Sequence, residues 1–462
     1  MSEFLRLLPP DEARALLLSR LPGPITDSES ISTASSLGRV TAEDIIAPHP
    51  LPEFPRSTMD GYAVRAHDTF GATDSLPTYL NLVGEVPMGD APLFDLQSGQ
   101  CALIHTGGML PDSADAVVML EYTQIIHHGE HREPGEENKN SVNSVHSAVS
   151  HQRAAGVRGT NGVVSDEIEI MRAVAEGENV IRVGEDVAQG TVVLPRGRMM
   201  RPAEIGGLMA LGIVQLEVIR KIRVGIISSG DEVVYPSQQP RRGQVRDVNA
   251  YTLFSLVMKS GGEGVLYGIV PDEVSALKEM ASRALRECDV VVITAGSSAS
   301  ARDMTAAVID SLGSPGVLVH GINTRPGKPT ILGVCDGKVV IGLPGNPVSA
   351  LVNGYLFVVP VIEMLLGLPT DKPRASVMAR LTVNIASQAG REDWIPVRLF
   401  PIHNSLSRRA SEQGIGNSEW DAEPIFGKSN LIFTLVTADS LLRIPPDATG
   451  ISAGEMVEVN LL

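Results

Sequence analysis

Residues 221–369 alternate short β-branched runs with stretches of helical length. That alternation constrains the fold more than any other feature of the chain. Arg223-Val224-Gly225-Ile226-Ile227-Ser228, Leu266-Tyr267-Gly268-Ile269-Val270, Val290-Val291-Val292-Ile293-Thr294 and Val339-Val340-Ile341 read as strands. Asn249 reads as the cap of a helix that Gly261-Gly262 ends, and residues 274–286 read as another helix. Such a pattern predicts a mostly parallel sheet covered on both faces. Ligands of open α/β sheets bind beyond the carboxyl ends of the strands. Here those ends run into Ser229-Gly230-Asp231-Glu232, Pro271-Asp272-Glu273, the run from Ala295-Gly296-Ser297-Ser298 to Arg302-Asp303, and Gly342-Leu343-Pro344-Gly345-Asn346-Pro347.

The last of these loops reads as strand, Gly-rich turn, helix. Asn346 is placed as an N-cap and Pro347 as the first helical residue, where its missing N–H costs nothing. Free N–H groups at such a turn suit an anion, although a well-capped helix after a buried strand has the same pattern. Upstream, Arg325-Pro326-Gly327-Lys328-Pro329 sets two cations in a stiff turn. One rim thus carries Asp231, Glu232, Asp272, Glu273 and Asp303 beside anion-binding turns. Carboxylates alone repel an anion, but with a hard divalent cation they hold one, and Mg2+ takes one or two carboxylates plus water and phosphate. The simpler account is that acids favour helix N-termini.

Outside this segment the pattern changes. Residues 1–48 read as mostly helical. Residues 56–125 are short apolar runs divided by Gly, Pro and Asp, the pattern of a small β-rich domain. Residues 127–166 lack apolar periodicity and read as a long mobile insertion, with His127, His128, His131, His146 and His151 in a solvated loop. Order returns at Asn179-Val180-Ile181, and residues 201–212 read as a helix. After Pro373, strands are predicted at Leu381-Thr382-Val383, Trp394-Ile395-Pro396-Val397 and Asn430-Leu431-Ile432-Phe433-Thr434-Leu435.

The length of 462 residues suits two to four domains. Aromatic content of 4% leaves the core to Leu, Ile, Val, Ala and Met. No apolar run is read as a membrane span and no secretory signal is visible. Cys101, Cys288 and Cys335 form neither a disulfide framework nor a zinc pattern, which fits a reducing cytoplasm. A formal net charge of −16 argues against a nucleic-acid or acidic-membrane partner. A small anionic ligand is compatible with it.

The β-rich segment carries two more turns. Arg56-Ser57-Thr58-Met59-Asp60-Gly61-Tyr62 sets an acid before a strand, and His105-Thr106-Gly107-Gly108-Met109-Leu110-Pro111 sets a hydroxyl beside two glycines. Taken with these, the chain resembles the molybdopterin molybdenumtransferases, the MoeA and gephyrin E-domain family. The matching pieces occur in order. They are Ser57 to Ala63; Thr106-Gly107-Gly108 with Pro111; Asp115-Ala116-Val117-Val118-Met119 with Glu121; Arg182-Val183-Gly184-Glu185-Asp186-Val187; Ser229-Gly230-Asp231-Glu232; Gly243-Gln244-Val245 with Asn249; and the 325–329 and 342–347 turns.

The resemblance implies a multidomain α/β plus β fold. An elongated helical, dimerising N-terminal domain (1–48 and 183–220) would hold an inserted β domain (49–182). An α/β molybdopterin-binding domain similar to the preceding adenylyltransferase (221–369) and a C-terminal β domain (370–462) would follow. It implies a cytoplasmic homodimer whose cleft lies between the third domain of one subunit and the second of the other. The implied reaction joins adenylylated molybdopterin and molybdate, with Mg2+, and releases AMP. The adenylyltransferase is the implied protein partner. Implied catalytic residues are Asp60, Thr106, Glu232, Asp272 and Asp303, with Glu232, Asp272 and Asp303 on the metal. Implied substrate contacts are Arg182, Asp186, Ser297, Ser298, Arg325, Lys328, Pro344, Gly345 and Asn346. Two departures stand out. The usual Gly-Gly-Val-Ser-Val-Gly run is Ala295-Gly296-Ser297-Ser298-Ala299-Ser300. The stretch before Pro326 lacks one of two usual lysines and has Arg325 for the other. Adenylyl transfer to molybdopterin, a non-catalytic scaffold and tungstate use are the alternative readings.

Overall fold

The computed structural model describes residues 7–126, 166–296, 299–370, 373–402 and 420–462. They form two compact units, Ile45–Leu194 with Ala210–Gly212, and the remainder.

In the larger unit, the described residues up to Asp44 hold one α-helix, α1 (Pro10–Leu18). Strand β1 (Ser28–Ser32) follows and pairs antiparallel with β12 (Gln215–Ile219). The mostly helical expectation for 1–48 is therefore wrong. The Ser-rich stretch after Asp27 is taken up by a strand nearly two hundred residues away in sequence, a pairing that local pattern cannot show. The helix expected near 201–212 is present as α2 (Pro202–Ala210).

The smaller unit has two short pairings, β2 (Ile45–Ile46) with β11 (Val192–Leu194) and β3 (Arg56–Ser57) with β10 (Val180–Ile181). Its main sheet uses β4 (Gly61–Val64), β5 (Thr78–Val86), β6 (Gln100–Ile104), β7 (Ala116–Met119), β8 (Thr123–Ile126) and β9 (Glu167–Ile170). Their order is β7-β4-β6-β5-β9-β8. Ile126 faces Glu167 at the end of the β8–β9 pair, so the insertion joins two paired strands. The mobile-loop reading of 127–166 and its five histidines lie outside the described residues, apart from Asp166.

The α/β part of the larger unit matches the alternation. Strands β13 (Arg223–Ser229), β16 (Glu263–Val270), β17 (Val290–Ala295), β18 (Pro315–His320), β20 (Ile331–Cys335) and β21 (Lys338–Pro344) form one sheet, ordered β16-β13-β17-β21-β20-β18. The first four in that order are parallel, and β20 and β18 add an antiparallel edge. A short parallel pair, β14 (Val233–Val234) with β15 (Val245–Arg246), and β19 (Thr324–Arg325) lie in its connections. Side chains alternate between faces. Val290, Val292, Val339 and Ile341 join one core cluster, whereas Val291, Ile293 and Val340 join another. Helices α4 (Val274–Glu287) and α5 (Ala299–Asp310) cover the second cluster; α3 (Asn249–Lys259), α6 (Pro347–Asn353) and α7 (Val359–Leu365) cover the first.

A π-helical turn, Gly354–Val358, joins α6 to α7. The continuous stretch Pro347–Leu365 does reach membrane-span length, against the sequence expectation, with 19 apolar-rich residues. It is 78% buried inside the fold, as the central helix of an α/β core is.

The C-terminal strands are β22 (Ser376–Leu381), β23 (Ile385–Ala386), β24 (Glu392–Pro401), β25 (Trp420–Pro424), β26 (Ser440–Ile444), β27 (Gly450–Ile451) and β28 (Met456–Leu461). Strands β24, β25, β22, β28 and β26 pair in sequence, and β26 returns to β24 to close the ring. The strand expected at 430–435 is instead a turn, with Leu431 N–H donating to Lys428 O, and a short helix, Phe433–Val436. Thr434 and Thr437 hydroxyls donate to Leu431 O and Phe433 O, which favours the coiled path. Thr382 and Val383 fall just beyond β22.

Candidate functional site

Two groups of predicted site residues lie at the carboxyl ends of β13, β16, β17 and β21. The first is acidic. Ser229 Oγ donates to Asp272 Oδ1 at 2.7 Å, and the Asp272 N–H donates to Asp231 Oδ1 at 3.2 Å. Glu232 folds its carboxylate back over Gly230, where a Cβ would sit 2.8 Å from Glu232 Oε2. Asp231, Glu232, Asp272 and Asp303 are all exposed, and Asp303 lies on α5. Among the described residues, no three His, Cys, Asp or Glu side chains gather closely enough to hold a metal ion. The structure therefore does not assemble Glu232, Asp272 and Asp303 into a cage.

Behind this rim stands a buried acid that the sequence reading passed over. Asp247 Oδ2 accepts from Ser228 Oγ at 2.7 Å, and its Oδ1 accepts from Ala250 N at 3.1 Å. Asp247 thus caps α3. Asn249, read as that cap, is the first helical residue and does something else: its Nδ2 donates to Gly345 O at 2.8 Å.

The second group is built from two turns. Gly342, Leu343 and Pro344 belong to β21, opposite Ile293, Thr294 and Ala295, so the turn is only Gly345-Asn346. At Gly345 a Cβ would lie 2.9 Å from Ala295 O, so the close approach of β17 requires glycine there. Asn346 occupies the N-cap position and Pro347 the first turn of α6, but the Asn346 side chain makes no capping bond. Nor are all the N–H groups free: Val348 N donates to Ser429 O at 3.0 Å. Anion binding at this turn must draw on neighbouring side chains as well.

Those neighbours are the cations of the 325–329 turn. Its carbonyls are satisfied internally. Pro326 O accepts from Asn353 Nδ2 at 3.1 Å, Gly327 O from the Thr330 hydroxyl at 2.8 Å, and Lys328 O from Ile322 N at 2.8 Å. Arg325 and Lys328 are left exposed, without an ion pair among the described residues. Pro329 and Pro344 share one narrow crevice with Gly296 and Thr305, which places the two turns side by side. Ser297 and Ser298 lie outside the described residues.

In the smaller unit the structure joins the two turns that the sequence held apart. Asp60 Oδ1 accepts from Thr106 N at 2.8 Å and from Thr106 Oγ1 at 3.2 Å. His105 stands between acids, with Nε2 2.9 Å from Glu85 Oε1 and Nδ1 3.8 Å from Asp60 Oδ1. Ser57 N donates to Gly108 O and Gly107 N to Ser57 O, which ties the loops together. Tyr62 turns into the sheet's core, where burial, with Cys101 and Asp166 nearby, pushes its phenol up to about 12. Arg182 follows β10, whose Ile181 pairs with Arg56, and its guanidinium packs over Gly177. Asp186 N donates to Leu51 O at 3.1 Å and its side chain is exposed. Neither Arg182 nor Asp186 bonds to Asp60.

Known proteins share this organisation. The MoeA N-terminal region (domain I and II) matches residues 8–212, a probable molybdopterin binding domain matches 225–364, and the MoeA C-terminal region (domain IV) matches 378–462. A putative molybdopterin biosynthesis protein of Methanocaldococcus jannaschii is 32% identical over 99% of this chain and 98% of its own length. The chain belongs to the MoeA family. A second relative, the molybdopterin molybdenumtransferase of Haemophilus influenzae, is 30% identical over 97% of both chains. The crystal structure of a Pyrococcus horikoshii MoeA protein aligns with a TM-score of 0.76 at 31% identity, over 99% of this chain and 100% of that one. The rim and the Asp60–Thr106 pair thus sit in a chain that is MoeA-like from end to end.

Proposed function

We propose that this chain is a molybdopterin molybdenumtransferase, which joins molybdate to adenylylated molybdopterin and releases AMP in molybdenum cofactor biosynthesis. The observation that carries the reading is the pair of adjoining turns, with Arg325 and Lys328 exposed and unpaired beside Gly345-Asn346. Two unneutralised cations in a chain of net charge −16 suit phosphate and molybdate oxygens. Membership of the MoeA family and the names of its curated relatives support the same reaction.

The acidic rim fits Mg2+ in one way. With no three-carboxylate cage among the described residues, the cation would take one or two of Glu232, Asp272 and Asp303 and complete its shell from phosphate and water. When bound it would offset charge as the phosphoanhydride opens. Arg325 and Lys328 orient the anion, and Pro344, Gly345 and Asn346 bound it; Ser297 and Ser298 remain proposed contacts. Asp60, fixed by Thr106, supplies a carboxylate that can accept a proton from a bound water or hydroxyl. Arg182 and Asp186 flank it as proposed substrate contacts.

We read the active form as a cytoplasmic homodimer of four-domain subunits in which the Asp60 cluster of one copy serves the rim of the other. Purified protein with Mg2+ and molybdate should release AMP from adenylylated molybdopterin. Absence of AMP from a folded dimer overturns the reading; ATP consumption with free molybdopterin would favour adenylyl transfer instead. A tungstate competition arm settles the oxyanion. Mixing two inactive variants, Asp60→Asn and Asp303→Asn, should restore part of the activity if sites are shared between copies. Mixtures as inactive as the separate variants would exclude sharing.

A further inference from the structure

Asn353 ends α6 and is fully buried, at 0% exposure. Its Nδ2 donates twice, to Ser349 O at 2.8 Å within its own helix and to Pro326 O at 3.1 Å in the cation turn. The contact is close. At Gly327, where φ is +106°, an added Cβ would fall 1.7 Å from Asn353 Nδ2. Only a glycine lets the turn lie flat on this amide. The next residue, Gly354, opens the π-helical turn and approaches α3 so closely that a Cβ would meet Leu256 Cδ2 at 2.8 Å and Leu253 Cδ2 at 3.0 Å. The helix carrying Asn353 is thereby seated on the helix carrying Asn249. Asn249, in turn, donates Nδ2 to Gly345 O.

Two buried asparagines on packed helices therefore each hold one carbonyl of one anion-binding turn. Each also leaves its Oδ1 buried without a hydrogen-bond partner among the described residues. An unmet buried acceptor opposes stability. Asn353 keeps this unmet acceptor in a helix whose other buried members include the apolar Val348, Ala350 and Val352. The amide is thus accounted for by what its Nδ2 holds in place.

We propose that Asn353 is a positioning residue of the transfer site. It locks the Arg325/Lys328 turn to the helix that starts at Gly345-Asn346, with Asn249 as its counterpart, so both edges of the anion site keep one separation. A ligand touching both edges then meets preorganised groups and does not have to order them. This rests on the function proposed above, and two measurements keep the ideas separable.

The first needs no activity. In Asn353→Leu, amide hydrogen exchange should rise at Gly327, Lys328 and Thr330 while β21 stays protected and Tm stays within a few degrees of wild type. The second uses AMP release. The KM for adenylylated molybdopterin should rise about tenfold, with kcat changed less than about threefold. Gly327→Ala, which drives a methyl into the same amide from the turn side, should reproduce both effects and add little to Asn353→Leu. It also serves if Asn353→Leu does not fold. Wild-type exchange at Gly327, Lys328 and Thr330 in either folded variant, or fully additive effects, overturns the positioning role. A wild type that releases no AMP overturns the proposed function, and the exchange result still decides the role of Asn353.

Discussion

Asp60 shows how a carboxylate can be aimed by its own neighbours. Thr106 offers both its N–H and its hydroxyl to Asp60 Oδ1, while Asp60 itself stays exposed. Thr106→Val keeps the N–H and the volume but removes the hydroxyl. We expect kcat/KM for AMP release to fall by about 10- to 100-fold with unfolding unchanged, since one charge-assisted bond is lost at the carboxylate proposed to take part in the reaction. A variant with wild-type kcat/KM would remove Thr106 from the machinery. One residue along, Gly61 answers to a different constraint. A Cβ there would lie 2.0 Å from Val118 O, on the paired strand. Gly61→Ala should cost roughly 3 kcal/mol or more in urea unfolding, because backbone on both sides must move. Both residues were visible in the sequence as a turn. Their partners were not, because Thr106 and Val118 arrive from 46 and more residues away. Asn353 gave no signal at all: an Asn inside an apolar helix reads as a defect until Pro326 is seen beside it.

At the scale of elements, the α/β alternation was legible because the central strands β13, β17 and β21 are buried on both faces and helices α3 and α4 show one apolar side. The misreadings have two causes. Ser28–Ser32 became a strand because its distant partner β12 pairs with it, whereas at Asn249 and at 430–435 local side-chain bonds decide, from Asp247 and from Thr434 and Thr437. Helix α2 illustrates a local device that does carry over. Glu204 lies in its first turn, nearly inaccessible, and accepts from Arg201 and Arg198 guanidinium groups and from the Arg201 N–H at 3.1 Å. The Arg201 bond is the main cause that draws its carboxyl down to about 2, with Arg198 assisting against burial. A lowered folded-state pKa means stability that is fully present above the unfolded carboxylate range and is lost as pH falls toward 2. The two arginines stand about half exposed, so screening limits the gain to about 1 kcal/mol. Glu204→Gln should therefore unfold more easily at pH 7 than wild type, and the gap should close between about pH 4.5 and 2. A gap that persists at pH 2 would assign the loss to packing.

For the whole molecule, the C-terminal barrel has a core of its own, with Ala379, Leu381, Val397, Leu442 and Val459, but one side of it joins the α/β domain's core. Leu435 and Leu441 belong to the same buried cluster as Val290, Ile341 and Phe357, and Trp394, Ile432 and Leu462 pack on it. Strand β19, which leads into the cation turn, pairs with Glu392 and Asp393 at the start of β24. Glu392 is 2% exposed and accepts from Trp394 Nε1 at 2.7 Å and from Arg443, which also reaches Asp11 on α1. Removing one member of a buried charged network is costly because its partners stay behind. None of these contacts was readable in the sequence, which showed a C-terminal β domain with three of its strands expected and no partners for them. It leads to a definite expectation for unfolding. Both tryptophans, Trp394 and Trp420, lie in the barrel, so fluorescence of a Trp420→Phe variant reports barrel unfolding through Trp394 alone. Exchange of the β17 amides, all in buried residues, reports opening of the α/β sheet. The two should give the same free energy, and Glu392→Gln should lower both together by about 3 kcal/mol. If the barrel melted first while β17 kept its protection, the cation turn would be losing its partner strand with the sheet intact, and the shared core would not be what holds the site in register.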